Sequence, residues 1–280
     1  MLYQDITILI TSFKSDKKIV DCLNSIDKNI KVLIIENSGN LLFKKNIEKK
    51  YLNCECILAG SNLGYANGNN LGLSKVKTKY ALILNPDAVL ESTSIENFLK
   101  SAEKNPNFAI IGPLVQELKN PIDTKVENKL ISVSNVKGFA MFLNLKEFKE
   151  IGFFDSNFFI YFEEIDLCRR VKLSNKKIYL DPNIKINHLG GSSHDSEVNF
   201  EMELSRNWHW MWSSFYYHKK YNGFVFAFIK MFPKLFSSFF KTIFYTLALN
   251  KNKKAIYKQR FSGIFNSILG KVSWYRPKVF

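Results

Sequence analysis

Tyr80-Ala81-Leu82-Ile83-Leu84-Asn85-Pro86-Asp87 is a run of five apolar residues closed by a turn that presents one carboxylate. A strand that is apolar at every position has to be covered on both faces, as in a parallel sheet held between helical layers. Pro86 offers no amide to a neighbouring strand, so sheet pairing ends there. The same pattern recurs upstream. Residues 6–11 are apolar and β-branched, and Ser12-Phe13-Lys14-Ser15-Asp16 follow. Ile19, Val20 and Leu23 then recur at helical spacing and predict a helix to about Ile26. Residues 32–35 predict a second strand, ending at Glu36-Asn37-Ser38-Gly39, and Cys54–Leu58 a third. Apolar strands alternating with helices predict an α/β fold with a mostly parallel sheet flanked by helices. Ligands of such sheets bind beyond the carboxyl ends of the strands, and Ser12, Glu36, Asn62 and Asp87 all lie just past one.

Between the third and fourth strands, Gly60-Ser61-Asn62-Leu63-Gly64-Tyr65-Ala66-Asn67-Gly68-Asn69-Asn70-Leu71-Gly72 is dense in Gly and Asn. It reads either as a surface loop or as a phosphate-cradling entry to a helix beginning near Asn69. It matches neither the Walker pattern nor the dinucleotide fingerprint. Residues 137–143, 178–180 and 184–187 predict further strands, the last leading to His188. With Asp87, that imidazole would complete a mixed oxygen and nitrogen site for a divalent metal.

Phe158-Phe159-Ile160-Tyr161-Phe162-Glu163-Glu164-Ile165-Asp166-Leu167-Cys168-Arg169-Arg170 places three carboxylates within four residues. The aromatic part reads as a strand or its exit, and the spacing from Ile165 onward reads as a helix. The acids then sit at a helix start, where the dipole favours their ionised form. One of them could serve as a general base. An ordinary helix N-terminus with an Asp166–Arg170 pair would look the same.

The 280 residues, 46% hydrophobic, suffice for one large domain with an appendage. Net charge is +15, unevenly spread. No Asp or Glu follows Glu203, while 14 of the 40 Lys and Arg lie from Arg206 onward, leaving 26 bases against all 25 acids before it. Cys22, Cys54, Cys56 and Cys168 have no metal-ligand spacing, and the N-terminus has no secretory pattern. Reduced thiols in a cytosolic compartment are expected.

Taken in order, these pieces resemble the inverting glycosyltransferases of family 2, and within them the rhamnosyltransferase-like branch. The resemblance rests on Thr11-Ser12-Phe13, Glu36-Asn37-Ser38, Asn62-Leu63-Gly64-Tyr65, Gly68-Asn69-Asn70-x-Gly72 and Asn85-Pro86-Asp87. Gly138-Phe139-Ala140-Met141, Gly152-Phe153-Phe154-Asp155, the acidic run and His188 complete it. It covers roughly residues 5–195 and implies a nucleotide-sugar-binding GT-A fold. It further implies a donor site formed by Thr11, Ser12, Glu36, Asn62, Gly64, Asn85 and Asp87. Asp87 and His188 would hold Mg²⁺ or Mn²⁺, and Glu36 would stand where the family reads the nucleotide base. Glu164 would be the base that deprotonates the acceptor, beside Glu163. The implied reaction is sugar transfer from a nucleotide-sugar donor, with L-rhamnose from dTDP-rhamnose the leading candidate, to a lipid-linked or growing glycan. A UDP-hexose or UDP-N-acetylhexosamine donor, or a non-catalytic binding scaffold, are the alternatives. The sequence departs from the family pattern in three places. Asn85 replaces a common first Asp, the acidic pair is Glu-Glu, and Asn175 stands where a Gly often ends the following helix. The Glu-Glu pair leaves Asp166 as a rival base to Glu164.

The resemblance makes residues 1–205 the transferase domain and leaves 206–280 as a basic, aromatic-rich helical region. Trp208, Trp210, Trp212, Tyr216 and Tyr217 precede an apolar stretch, 224–249, whose only charges are Lys230, Lys234 and Lys241 and which contains Pro233. Lys is costly in mid-membrane, so helices lying in the interface of an anionic membrane are expected, peripheral at the cytoplasmic face. A packed helical subdomain or an oligomer contact is the other reading. Bases interleaved with long Phe runs do not make a nucleic-acid groove.

Overall fold

The computed structural model describes residues 3–114, 129–188 and 193–279, which divide into two compact units. One comprises residues 1–63, 67–154 and 167–195; the other takes 64–66, 155–166 and 196–280.

The first unit contains β1 (Ile6–Ser12), α1 (Ile19–Asn24), β2 (Lys31–Glu36), α2 (Leu41–Lys50) and β3 (Cys54–Leu58). These are followed by most of α3 (Gly64–Leu73), β4 (Tyr80–Leu84), β5 (Ala88–Leu90), α4 (Ser94–Lys104) and β6 (Phe108–Pro113). β7 (Ile131–Ser132), β8 (Ala140–Asn144), the later turns of α5 (Glu163–Leu173), β9 (Lys177–Asp181) and β10 (Ile186–His188) complete it. Eight strands form one sheet in the order β3-β2-β1-β4-β8-β6-β9-β7, while β5 and β10 pair separately. β1 lies parallel to both β2 and β4, β2 to β3, and β6 to β9. β8 runs antiparallel between β4 and β6. The chain thus reverses direction on either side of β1, and the carboxyl ends of β1, β2 and β4 open toward a common edge.

Strand residues Ile8, Ile10, Val32, Ile34, Leu82 and Leu84 are buried in one core. α4 covers it with Ile95, Phe98, Leu99 and Ala102, a stripe at helical spacing. The Phe142 ring lies 5.0 Å from that of Phe98 and 5.6 Å from that of Phe108.

Several boundaries differ from expectation. α1 stops at Asn24, where the Ser25 amide and hydroxyl take up helix carbonyls. α3 starts at Gly64, so the Gly/Asn-rich motif is mostly helix, not an entry loop. Gly68 is required there by closeness: a Cβ would stand 2.6 Å from Thr11 Cγ2. Residues 155–162 form turns and bends, not a strand. Asn175 adopts φ 56° beyond α5, the left-handed cap that Asn tolerates next best after Gly. All four cysteines are buried thiols outside any disulfide.

The second unit is organised by α6 (Asn199–Leu247) and α7 (Lys251–Ile268). α6 is broken at Gly223, whose φ of 82° and ψ of 168° no helix accommodates. Before the break it buries Trp208, His209, Met211, Trp212 and Phe215. α7 returns along it, with Ile264 against Met211, Phe215, Ala227 and Met231, Phe261 beside Phe239, and Tyr257 stacked on Tyr245. The chain after α7 folds back as well: the Lys271 carbonyl accepts from Trp212 Nε1 at 3.0 Å, and Tyr275 stacks on Trp208. Burial pushes the His209 imidazole down to about 3, so it is neutral. Its Nε2 donates to the Tyr275 carbonyl at 2.9 Å, and its Nδ1 accepts from the Ser273 hydroxyl at 3.0 Å.

Beyond Gly223, α6 leaves Ile229, Phe232, Phe236, Phe239, Phe240, Ile243, Phe244 and Leu247 exposed. At about 100° per residue, Lys230, Lys234 and Lys241 fall within about 40° of one another, on a stripe flanking that apolar face. Among the described residues one helical segment, Ser196–Leu247, contains a stretch long and apolar enough to cross a membrane.

Candidate active site

The candidate site residues fall in two clusters, one in each unit. In the first unit, β4 ends at Asn85, whose amide donates to the Phe139 carbonyl at 2.8 Å and whose carbonyl accepts from Ala88 at 3.1 Å. That turn projects Asp87. β5 begins immediately after it and pairs antiparallel with β10 in a register that sets Ala88 opposite His188. The short ribbon therefore brings Asp87 and His188 together although 101 positions separate them. His188 Nε2 stands 3.4 Å from Asp87 Oδ1. The imidazole is held by stacking on Phe139, with centroids 4.3 Å apart and planes within 6°.

Asp87 is buried, and Ser193 Oγ donates to its Oδ1 at 2.8 Å. Burial raises its pKa, but hydrogen bonds from His188 and Ser193 outweigh that and hold the carboxyl below the usual carboxylate range. A separation of 3.4 Å is long for a hydrogen bond, and His188 Nε2 is buried with no other hydrogen-bond partner among the described residues. Ligands about 2.1 Å from one ion, in neighbouring octahedral positions, stand about 3 Å apart. The donor set fits a divalent metal that takes its remaining ligands from phosphate and water. Among the described residues no group of three or more His, Cys, Asp or Glu does so.

Thr11 and Ser12 end β1 beside this edge. Thr11 Oγ1 donates to Asn69 Oδ1 at 3.0 Å, and the Ser12 carbonyl accepts from the Asn37 amide at 2.9 Å. Glu36 is buried and organises the next turn. Its Oε1 accepts from the Ser38 amide at 2.8 Å and from the Ser38 hydroxyl, and its Oε2 from the Asn40 amide at 2.8 Å. Three of about four acceptor positions are thereby used within the loop. Asn62 is half-buried ahead of α3.

The second unit holds Gly64 and the three acids. Gly64 has φ 74°, and a Cβ there would collide with the Phe159 carbonyl, which accepts from the Tyr65 amide at 2.8 Å. The acids occupy the first turn of α5, opened by the Asp166 amide donating to the Phe162 carbonyl at 2.8 Å. Tyr161 and Phe162, just before it, both have φ 70°. Left-handed backbone at two consecutive aromatics costs about 1–3 kcal/mol each and persists only where surrounding contacts enforce it.

The environments of the acids diverge. Glu163 is 5% exposed, and its Oε2 has no hydrogen-bond partner among the described residues. Burial and then the neighbouring Glu164 charge push its carboxyl well above the usual range, which favours the uncharged form. Glu164 is half-buried. Asp166 is fully buried and accepts from Lys220 Nζ at 2.6 Å and Tyr221 Oη at 2.8 Å. In the first unit, Arg170 donates to the carbonyls of Ile151, at 2.9 Å, and Phe153.

Ser193, Lys220 and Tyr221 were not anticipated from the sequence. Each meets its acid across 50 or more positions, and no local spacing announces that.

The sequence matches the profile of glycosyl transferase family 2 over residues 7–169. It is 26% identical over 201 residues to the low-salt glycan biosynthesis hexosyltransferase Agl10 of Haloferax volcanii, covering 63% of this chain and 64% of that protein. It is likewise 26% identical over 227 residues to rhamnosyltransferase WbbL of Escherichia coli, covering 69% and 84%. Among solved structures, the mannosyltransferase PcManGT of Pyrobaculum calidifontis, in complex with GDP-Man and Mn²⁺, superposes with a TM-score of 0.61 at 10% identity, over 95% of this chain and 88% of that one. TarS 1–349 of Staphylococcus aureus in complex with UDP-GlcNAc gives 0.52 at 13% identity, over 97% and 93%. The architecture is therefore the GT-A fold. The matched span takes in the strand ends, the Asn85-Pro86-Asp87 turn and all three acids, and on that extent the chain belongs to glycosyl transferase family 2.

Proposed function

We propose that this chain is an inverting glycosyltransferase that moves a sugar from a nucleotide-sugar donor to a hydroxyl of a lipid-linked or growing glycan at a membrane surface. The observation that carries the reading is the contrast within the acidic run of a family 2 chain. Glu163 is buried with its carboxyl pushed toward the uncharged form, Asp166 is held by Lys220 and Tyr221, and Glu164 is half-buried.

Glu164 takes the proton from the acceptor hydroxyl as its oxygen bonds to the anomeric carbon, and the bond from that carbon to the diphosphate breaks. Attack opposite the leaving group inverts the anomeric centre. Asp87 and His188 would hold a divalent ion, Mg²⁺ or Mn²⁺, whose charge offsets that building on the departing diphosphate. Ser193 and Phe139 fix the two ligands. Thr11, Ser12, Asn62, Gly64 and Asn85 would line the donor, and Glu36 would shape the loop against the base with its last free acceptor position.

L-Rhamnose from dTDP-rhamnose is the favoured donor, supported by the names of two relatives. These are WbbL and, at 20% identity over 189 residues, the N-acetylglucosaminyl-diphospho-decaprenol L-rhamnosyltransferase of Mycobacterium tuberculosis. A thermal-shift panel of dTDP-rhamnose, UDP-glucose, UDP-N-acetylglucosamine and GDP-mannose, each with and without Mn²⁺, tests it. The largest stabilisation is expected with dTDP-rhamnose plus Mn²⁺. Preference for another nucleotide sugar would change the donor, and no stabilisation by any would sink the transferase reading.

Residues 206–280 would seat the enzyme on the anionic inner face of a membrane. The apolar face of α6 beyond Gly223 would enter the headgroup boundary, with the Lys230/Lys234/Lys241 stripe and the bases of α7 at phosphate level. Deleting 224–280 would also strip Ile264 from the core around Met211 and Phe215 and Tyr275 from the core around Trp208, so point changes are the better probe. Phe236→Asp with Phe240→Asp should weaken binding to anionic liposomes at least about 100-fold and leave the melting temperature unchanged. Undiminished sedimentation with the vesicles would point to a different role for this face.

A further inference from the structure

We propose that Lys220 is a positioning residue for the acidic run, clamping the two ends of the 155–166 segment so that the Glu164 carboxylate is presented to the acceptor. This rests on the reading of Glu164 as the base. The ammonium of Lys220 stands 2.7 Å from Asp155 Oδ2 and 2.6 Å from Asp166 Oδ1, at the first residue of the segment and its last. The bridge belongs to a face of α6 devoted to this segment. Ser213 Oγ donates to the Ile160 carbonyl at 3.0 Å, Tyr216 Oη to Asp155 Oδ2 at 3.0 Å, and Tyr221 Oη to Asp166 Oδ1 at 2.8 Å. Asn157 adds its own side-chain amide to Tyr216 Oη, at 3.0 Å. Residues 213, 216, 217, 220 and 221 repeat at helical spacing, so one stripe of one helix collects both ends and the middle of the segment. The Phe162 ring lies 5.4 Å from that of Tyr217, on the same stripe.

The segment needs such a clamp. It has no ladder of its own, it passes through Tyr161 and Phe162 in left-handed conformation, and Glu163 and Glu164 follow directly. Backbone of that kind relaxes when its outer contacts are released, and a carboxylate moved by an ångström loses its alignment with the hydroxyl it must deprotonate. Lys is suited to the task because one ammonium can donate to two carboxylates at once, whereas Tyr216 and Tyr221 each reach only one. The bridge also gives the fully buried Asp166 carboxylate a counter-charge.

The test uses the full chain and steady-state transfer with the donor that the thermal-shift panel identifies. Lys220→Met should lower kcat at least tenfold while the donor KM and the donor-induced thermal shift stay within twofold of wild type. Lys220→Arg, which can still bridge both carboxylates, should recover most of kcat. A role confined to stability would move the melting temperature and leave kcat per folded molecule intact, and that result overturns the proposal. Glu164→Gln is measured in parallel. If it abolishes transfer while Lys220→Met does not slow it, the clamp is wrong and the base assignment stands. If Glu164→Gln transfers normally, the base assignment falls and the clamp proposal with it. Should Lys220→Met fail to fold, Asp155→Asn is read in its place, since it loosens one arm and leaves Asp166 paired. Reduced kcat there supports the clamp, and wild-type kcat overturns it.

Discussion

Glu164→Gln should lower kcat for sugar transfer by about 10²- to 10⁴-fold, the usual worth of a positioned general base, while donor affinity changes little. Glu163→Gln, one residue away, should stay within a few-fold of wild type in both respects. The asymmetry follows from burial. Glu163 is enclosed and its carboxyl is driven toward the uncharged form, first by desolvation and then by the Glu164 charge, so an amide of the same shape is a close substitute for it. Glu164 is half-buried, and Gln there could not accept the proton of an acceptor hydroxyl. Asp166→Asn should behave in a third way. It releases the arm of the Lys220 bridge nearest Glu164, so it should lower both the melting temperature and kcat, with kcat reduced much less than in Glu164→Gln. Steady-state kinetics and thermal melts on the three variants separate these outcomes. Loss of transfer confined to Asp166→Asn, in protein that melts normally, would move the base to Asp166.

The parallel half of the sheet was legible because Ile8-Leu9-Ile10 in β1, Val32-Leu33-Ile34-Ile35 in β2 and all of β4 are unbroken apolar runs, which leaves them no solvent face. β5 was not, since three residues carry no periodicity, yet it is the register of β5 with β10 that joins Asp87 to His188. Residues 158–162 misled for a chemical reason. Phe-Phe-Ile-Tyr-Phe has strand composition, but Tyr161 and Phe162 lie at positive φ and the side chains pack as a loop. β-Propensity reports fit to a half-buried surface, and here α6 provides that surface in place of neighbouring strands. The Gly/Asn-rich stretch misled in the opposite direction. Its Gly68 reads as loop punctuation, whereas the structure uses its missing side chain to bring α3 against Thr11.

In the candidate site, the residues proposed for the chemistry could be picked out in the sequence, and the side chains that hold them could not. Asp87, His188, Glu163 and Glu164 stand at strand ends or a helix start, where position alone gives them meaning. Ser193 meets Asp87 from 106 residues away, and Lys220 meets Asp166 from 54. In the sequence Lys220 is one more base in a tail with no acids. Only the fold shows that its charge is spent internally, on two carboxylates of the segment that carries the base.

Asp87→Ala should abolish the joint stabilisation by Mn²⁺ and donor, and lower transfer by about 10³-fold or more, because charge on the leaving diphosphate would go unopposed. His188→Ala should cost less, about 10- to 100-fold, since a neutral ligand can be replaced by water. The donor set also dictates how the ion binds. Asn85 contributes no charge, so Asp87 would be the anionic ligand of the pair, and despite its burial hydrogen bonds hold its carboxyl below the usual range. One carboxylate and one imidazole do not retain a hard ion strongly by themselves, and the diphosphate oxygens must complete the shell. Mn²⁺ alone and donor alone should each shift the melting temperature only slightly, and the two together by much more than their sum. Each ligand then raises the affinity of the other by the same factor. A donor at 100 times its dissociation constant stabilises by about 2.7 kcal/mol, well within the reach of a thermal melt. Simple additivity would mean that the ion and the diphosphate do not share a site. Full transfer in excess chelator would remove the metal from the reaction altogether, and Asp87 would then have to act through its hydrogen bonds alone.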